Sequence, residues 1–280
     1  MQLRLGARTL DLGQPGVMGI LNVTPDSFSD GGRFLDRDAA IRQAEAMLAA
    51  GASIIDVGGE STRPGAASVP AGQEADRVIP VIEAIAVRLD VAISVDTSKP
   101  AVMRAAVAAG ATLINDIYAL RQHGALEAVA EMDVAVCLMH MQGTPATMQV
   151  NPQYRHIPGD IIEFLRGRMA ACQQAGIDPA RLLVDPGFGF GKNDRQNLEL
   201  LHNLRQVSQL GVPLLAGLSR KRLLGSLTGR STDQRVFAGV AAAVMAVERG
   251  ARIIRTHDVA ETIDALRVTQ AVMEAGQEHG

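Results

Sequence analysis

Hydrogen-bonding and charged residues recur at one place in the pattern of this chain, just after short apolar runs. They are Asn22, Asp56, Asp96, Asn115 with Asp116, His140, Asp185, Ser219 with Lys221, and Arg255 with His257. A carboxylate or amide can exchange paired hydrogen bonds with the edge of a planar heterocycle, and Lys and Arg hold phosphate or carboxylate groups. Asp96, Asn115 and Asp185 abut apolar interiors, where an unpartnered polar group is costly, so a ligand or a neighbour must satisfy them. Arg63, Arg220, Lys221 and Arg255 add cations that imply an anionic ligand. That anion must be held locally, because 27 Lys+Arg against 30 Asp+Glu leave a net charge of −3 and no general attraction to nucleic acid or anionic membrane.

Two further stretches carry chemical potential. Residues 182–192, LLVDPGFGFGK, place Asp185 beside a loop nearly free of side chains, which a planar ligand can approach. Pro186 and Asn193 break the phosphate-loop pattern, and the glycine spacing is not that of a dinucleotide loop. Phe188 and Phe190 read either as stacking walls or as core. His140 reads either as a general base or as a satisfied histidine at a strand end, and the second is preferred. Ser98 and Asp258 read as helix N-caps, Asp258 forming a capping box with Glu261, and are kept out of the site.

These residues are brought together only if their apolar runs are parallel strands. Strands are expected at 17–21, 53–57, 92–95, 113–115, 134–139, 182–184, 213–217 and 253–255. Helices are expected at 38–50, 73–89, 100–109, 124–131, 159–175, 194–209, 233–249 and 258–274. Gly51, Gly110, Gly176, Gly211 and Gly250 close helices before the next strand. Strands apolar on both faces, each followed by a helix, specify an α/β fold, a single (β/α)8 TIM barrel over residues 1–280. The alternative, an open doubly wound sheet, would want a glycine fingerprint after the first strand, where Asn-Val-Thr-Pro-Asp stands instead. Leu3 to Leu12 reads as a hairpin across the mouth or floor.

Composition narrows the function. Hydrophobic residues make up 47% and aromatics 3% with no Trp, so a stacking surface for single-stranded nucleic acid is not expected. Cys137 and Cys172 suit buried reduced thiols, no apolar run is long enough for a bilayer, and no signal-peptide core opens the chain. The expectation is a cytoplasmic protein acting on small molecules.

With these residues in place, the chain resembles the dihydropteroate synthase family almost end to end. The resemblance rests on GILNVTPDSFSDGG at Gly19, IIDVGGESTRPG at Ile54, SVDTSKP at Ser94, INDIYAL at Ile114, LMHMQGTPATMQ at Leu138, VDPGFGFGKN at Val184, GLSRKRLLG at Gly217 and RTHDV at Arg255. It implies a homodimeric pterin-binding barrel that joins 6-hydroxymethyl-7,8-dihydropterin diphosphate to 4-aminobenzoate and releases pyrophosphate. It implies that Asp96, Asn115, Asp185 and Lys221 hold the pterin, with Met139 on its apolar face. Asn22, Arg63, Arg255 and His257 would take the diphosphate, with Mg2+ bridging Asn22 and phosphate oxygens. The aminobenzoate would lie against Phe28, Thr62, Pro64, Phe190 and Lys221. Arg63, Lys221, Arg255 and His257 would serve catalysis.

Two positions depart from the family pattern. Arg222 replaces a Ser that holds the aminobenzoate carboxylate in some relatives, so that contact falls to backbone N–H groups or to Arg222 itself. Gln196 replaces a His at a helix start away from the chemistry. Within 18–32, Asn22 reads as the diphosphate anchor and 24–32 as a lid carrying Phe28, which implies that aminobenzoate binds after the lid is organised.

Overall fold

The computed structural model describes residues 1–23, 33–61, 65 and 68–276. An antiparallel hairpin, β1 (Gln2–Leu5) and β2 (Arg8–Asp11), comes first. Strands and helices then alternate: β3 (Gly16–Asn22), α1 (Arg33–Ala49), β4 (Ile54–Gly58), α2 (Ala71–Arg88), β5 (Ala92–Asp96), α3 (Pro100–Ala108), β6 (Leu113–Asp116), α4 (Ala125–Ala130), β7 (Ala135–Met139), α5 (Gly159–Gln174) and β8 (Leu182–Asp185). The chain continues through α6 (Asp194–His202), α7 (Leu204–Val207), β9 (Leu215–Ala216), α8 (Arg222–Thr228), α9 (Val236–Glu248), β10 (Ile253–Thr256) and α10 (Val259–Ala275). The strands β3 to β10 pair in parallel in the order β8-β7-β6-β5-β4-β3-β10-β9. A parallel bridge between Val184 and Leu214 joins the two ends, so the sheet closes into the expected (β/α)8 barrel rather than an open sheet.

Pleating decides which residues meet inside. Val17, Leu21, Ile55, Val57, Ile93, Val95, Ile114, Val136, Leu138 and Val184 pack outward against the helices. Their neighbours Met18, Ile54, Ala92, Leu113, Ala135, Leu183, Leu215 and Ile253 form a separate apolar cluster in the barrel interior. Because side chains alternate with a period of two, the next inward positions are Ile20, Asp56, Ser94, Asn115, Cys137, Asp185, Gly217 and Arg255. The interior is thus apolar below and mostly polar above.

The hairpin settles on the floor, not the mouth. Leu3, Leu5 and Leu12 are buried in the interior cluster. Arg4 pairs with Asp133 and Asp178, which lie just before β7 and β8, at the amino ends of the strands.

Several boundaries differ from expectation. The seventh barrel strand shrinks to Leu215–Ala216, since Pro213 has no N–H for a ladder. The helix expected at 194–209 is interrupted at Asn203, whose ψ of 13° leaves the helical range, giving α6, α7 and a short 3-10 turn. The helix expected from 233 starts at Val236 after a 3-10 turn, and α8 was not anticipated. The five helix-closing glycines all have positive φ. Ser98 does not cap α3, which begins after Lys99 with Pro100 in its first turn. Leu12→Ala should lower unfolding free energy by about 3 kcal/mol in urea titration; an unchanged midpoint would mean that the floor is not part of the cooperative core.

Candidate active site

At the carboxyl ends of the strands, β4, β5, β6 and β10 supply a connected group. The Arg255 guanidinium donates through Nε to Asp56 Oδ2 at 2.6 Å and through Nη2 to Asp96 Oδ2 at 2.7 Å. Asn115 Nδ2 donates to the same Asp56 oxygen at 3.2 Å. Burial works against the Arg255 charge, yet Asp56 and Asp96 outweigh it and hold its pKa above the usual range. Burial pushes Asp96 up to about 7, Arg255 opposing and Asp56, Glu74 and Asp116 reinforcing the shift. Asp56 Oδ1 and Ser94 Oγ are buried without a hydrogen-bond partner, so this layer retains unused polar capacity for a guest. The sequence marks Asp56 only as a strand-end carboxylate, with no ligand assigned to it. Its signal was a carboxylate two positions beyond an inward-facing Ile54.

Asp185 ends β8 beside the glycine-rich loop. Its Oδ1 accepts from Gly187 N at 2.7 Å, and burial raises its pKa despite that bond and the nearby Lys221 and Arg255. Lys221 Nζ stands 4.2 Å from the centre of the Phe190 ring, a cation–π contact. Burial, and then Arg255, lower Lys221 to about 8. Phe190 packs with Ile117, Met139, Met141 and Met148 in a small cluster of its own, which makes an apolar wall beside the polar layer. Phe188 instead belongs to the main core, so of the two rings only Phe190 is placed to face a ligand.

In the loops that follow β10 and β9, His257 Nδ1 lies 3.0 Å from Ser219 Oγ. Burial and the neighbouring Arg255, Arg220 and Lys221 push His257 down to about 4, so at neutral pH it offers an N–H rather than a charge. Asp258 does not cap α10 with its side chain; the carboxylate is drawn to Arg220, whose Nε is 3.3 Å away. The capping-box expectation fails because a guanidinium competes better for a carboxylate than a backbone N–H does.

Other strand-end residues prove structural. Asp116 accepts from Tyr118 N and Leu120 N. His140 is buried with Nδ1 against Lys192 Nζ at 3.0 Å, the satisfied arrangement preferred for it. Gln196 completes a capping box with Asn193. Arg222 reaches Asp194 Oδ1 at 3.3 Å on the surface. Lys99 is bound to Glu60 and Glu74, and beside it a cavity of about 460 Å³ opens between Glu60, Asp96, Tyr118 and Thr144.

Phe28, Thr62, Arg63 and Pro64, with the lid at 24–32, lie outside the described residues. Asn22 ends β3 opposite Gly58 of β4. Among the described residues no group of three or more His, Cys, Asp or Glu could enclose a metal. Asn22 contributes one amide oxygen, a hard donor of the type that suits a hard cation sharing its other positions with phosphate and water.

A family model described as pterin binding enzyme matches residues 18–257. The chain is 52% identical over 275 residues to the dihydropteroate synthase of Escherichia coli strain K12, covering 98% of each. Among solved structures it is similar to the Yersinia pestis dihydropteroate synthase in complex with a sulfonamide drug, with a TM-score of 0.94 and 52% identity over 98% of this chain and 100% of that one. It is also similar to the Xanthomonas albilineans dihydropteroate synthase in complex with 7,8-dihydropteroate, with a TM-score of 0.87 and 48% identity over 97% and 98%.

Removing Asp56 would leave Asn115 without its acceptor and Arg255 with Asp96 alone. Asp56→Ala should cost about 2 kcal/mol, read as a lower urea midpoint; wild-type stability would show that this carboxylate does not organise the layer.

Proposed function

The chain belongs to the pterin-binding enzymes and, within them, to the dihydropteroate synthases, and from that membership we propose that its pocket joins 6-hydroxymethyl-7,8-dihydropterin diphosphate to 4-aminobenzoate, releasing pyrophosphate. The observation that carries this reading is the polar layer set over an apolar interior. It offers Asp96, Asn115, Asp185 and Lys221 to one edge of a flat heterocycle and Met139 and Phe190 to its apolar parts. The product named for the Xanthomonas structure, 7,8-dihydropteroate, is the compound this condensation would form.

The diphosphate is assigned to Asn22, Arg255 and His257, with Arg63 as a further cation. Mg2+, held by Asn22 and by phosphate oxygens, would supply neutralising charge to the leaving group. The bond from the pterin methylene carbon to the diphosphate oxygen breaks, the electron pair leaving with pyrophosphate. The electron-rich ring spreads the resulting positive charge, and the buried carboxylates Asp56, Asp96 and Asp185 favour it there. The aminobenzoate nitrogen then bonds to that carbon and loses a proton to solvent. Its ring is assigned to Phe28, Thr62, Pro64, Phe190 and Lys221. Its carboxylate is assigned to backbone N–H groups, since Arg222 is taken by Asp194. No Ser-His-Asp or Cys-His nucleophile is required by this chemistry. A reduced intracellular setting, the cytoplasm, agrees with two buried, unbridged cysteines, and among the described residues no helix is long and apolar enough to cross a membrane.

Pyrophosphate release should require both substrates and magnesium and should fall strongly in Arg255→Ala, by about a hundredfold or more. Its kcat/KM should decline as pH drops through about 7, because protonation of Asp96 removes an acceptor and weakens its hold on Arg255. Tight pterin binding without release would point to a binding module, and methyl transfer to a corrinoid protein would point to the related methyltransferases.

A homodimer is proposed on the outer face of α9 and α10, at the side of the barrel. Phe237 and Met245, two turns apart on α9, and Val268 and Val272, one turn apart on α10, are exposed apolar side chains on helices that pack together. A self-complementary apolar patch of this kind suits a second copy of the same chain. Phe237→Glu should convert the dimer to monomer in sedimentation velocity; an unchanged mass would place the interface elsewhere.

A further inference from the structure

Lys192 is 1% exposed, and among the described residues no carboxylate lies within salt-bridge distance of it. An ammonium enclosed in this way is costly: burial lowers the Lys192 pKa to about 7, and the charge of Asp185 opposes the shift. It is accommodated because each of its three N–H groups meets a neutral acceptor: Gly187 O at 2.8 Å, Phe190 O at 3.0 Å and His140 Nδ1 at 3.0 Å. The last of these requires His140 to carry its proton on Nε2. Burial and the adjacent Lys192 charge hold His140 far below its usual pKa, in keeping with that neutral form.

The three acceptors belong to two structural units. His140 follows β7, while Gly187 and Phe190 belong to the loop after β8. Gly187 O is shared with Phe190 N at 3.1 Å, and Gly187 N holds Asp185 Oδ1. Gly187 has φ +71° and lies so near β7 that a Cβ there would fall 1.9 Å from His140 O. The loop is pressed onto the strand end, and one ammonium joins both. Phe190, placed on the aminobenzoate, is carried by that loop, and Asp185, placed on the pterin, ends β8 and is held by the loop's Gly187 N–H.

We propose that Lys192 is a positioning residue for the substrate pocket: its ammonium, with all three hydrogens used inside the protein, sets the form of loop 186–191 and thereby the orientation of Asp185 and Phe190. This rests on the functional reading above. Without the ammonium, the Phe190 carbonyl and the His140 ring nitrogen lose this donor, Gly187 O keeps only the Phe190 N–H, and the Gly187 N–H that orients Asp185 is less firmly fixed.

The test is calorimetric binding of the dihydropterin diphosphate, without aminobenzoate, to the full chain, together with steady-state kinetics. Lys192→Met should weaken pterin binding about tenfold or more and raise the pterin KM in parallel, with kcat at saturation changed less than about threefold. Binding within about twofold of wild type would overturn the proposal, as would a loss confined to kcat. If Lys192→Met does not fold, two variants at its partner decide the matter. His140→Asn keeps an acceptor near the Nδ1 position and should bind within about twofold of wild type, whereas His140→Leu should bind about tenfold more weakly. Equal behaviour of these two variants would overturn the proposal. Failure of the wild-type chain to bind the pterin would instead overturn the functional reading, and this inference with it.

Discussion

Arg255 lies between Asp56 and Asp96 inside the barrel mouth, and the electrostatics of the pocket follow from that arrangement. Asp185 adds a third carboxylate and Lys221 a second cation to the same buried region. Burial penalises each charge first and the neighbouring groups then modify the result, which is why one carboxyl is pushed up to about 7 and one ammonium down to about 8. Such a pocket is short of positive charge, a condition suited to a reaction that develops a cation in its guest. Compensation for the departing anion is the role proposed for Arg255 and His257, with Arg63 as a further cation.

The same arrangement explains how an apolar barrel hosts a polar site. Closure of eight parallel strands forces every second residue inward. Below, those positions hold Ile54, Leu113, Leu183 and Ile253 sealed by the hairpin leucines. One step up the same rows, they hold Asp56, Asn115, Asp185 and Arg255. A buried polar layer would be destabilising if its members faced only hydrocarbon, and here most of the groups meet each other, leaving Asp56 Oδ1 and Ser94 Oγ over. Stability and binding capacity therefore draw on the same atoms.

Legibility varied with how local the cause was. Asp96, Asn115, Asp185, Lys221, Arg255 and His257 could be picked out because a polar residue closing an apolar run marks the mouth of a parallel barrel. Asp56 closes such a run too, but its importance lies in contacts with Arg255 and Asn115, which are 199 and 59 residues away. Asp258 was read as a cap from its local sequence, and Arg220, 38 residues distant, took the carboxylate instead. Lys192 looked like the tail of a failed phosphate loop, and its fully enclosed ammonium could not be inferred from the glycines before it. Helix α8, seven residues long, carries too little periodicity to separate from a loop.

What the amino-acid order determined by itself was periodic and local. The apolar runs, the alternation within them, the glycines that end helices and the polar residue at each strand end specify a (β/α)8 barrel and the end at which its chemistry lies. The family motifs added which reaction to expect. What only the tertiary structure decided was partnership. The hairpin's place on the floor, the sharing of Asp56 between Arg255 and Asn115, the pairing of Asp258 with Arg220 and the contact of Lys192 with His140 all join residues distant in sequence. Such contacts depend on closure of the sheet, and no stretch of sequence holds both halves of any of them.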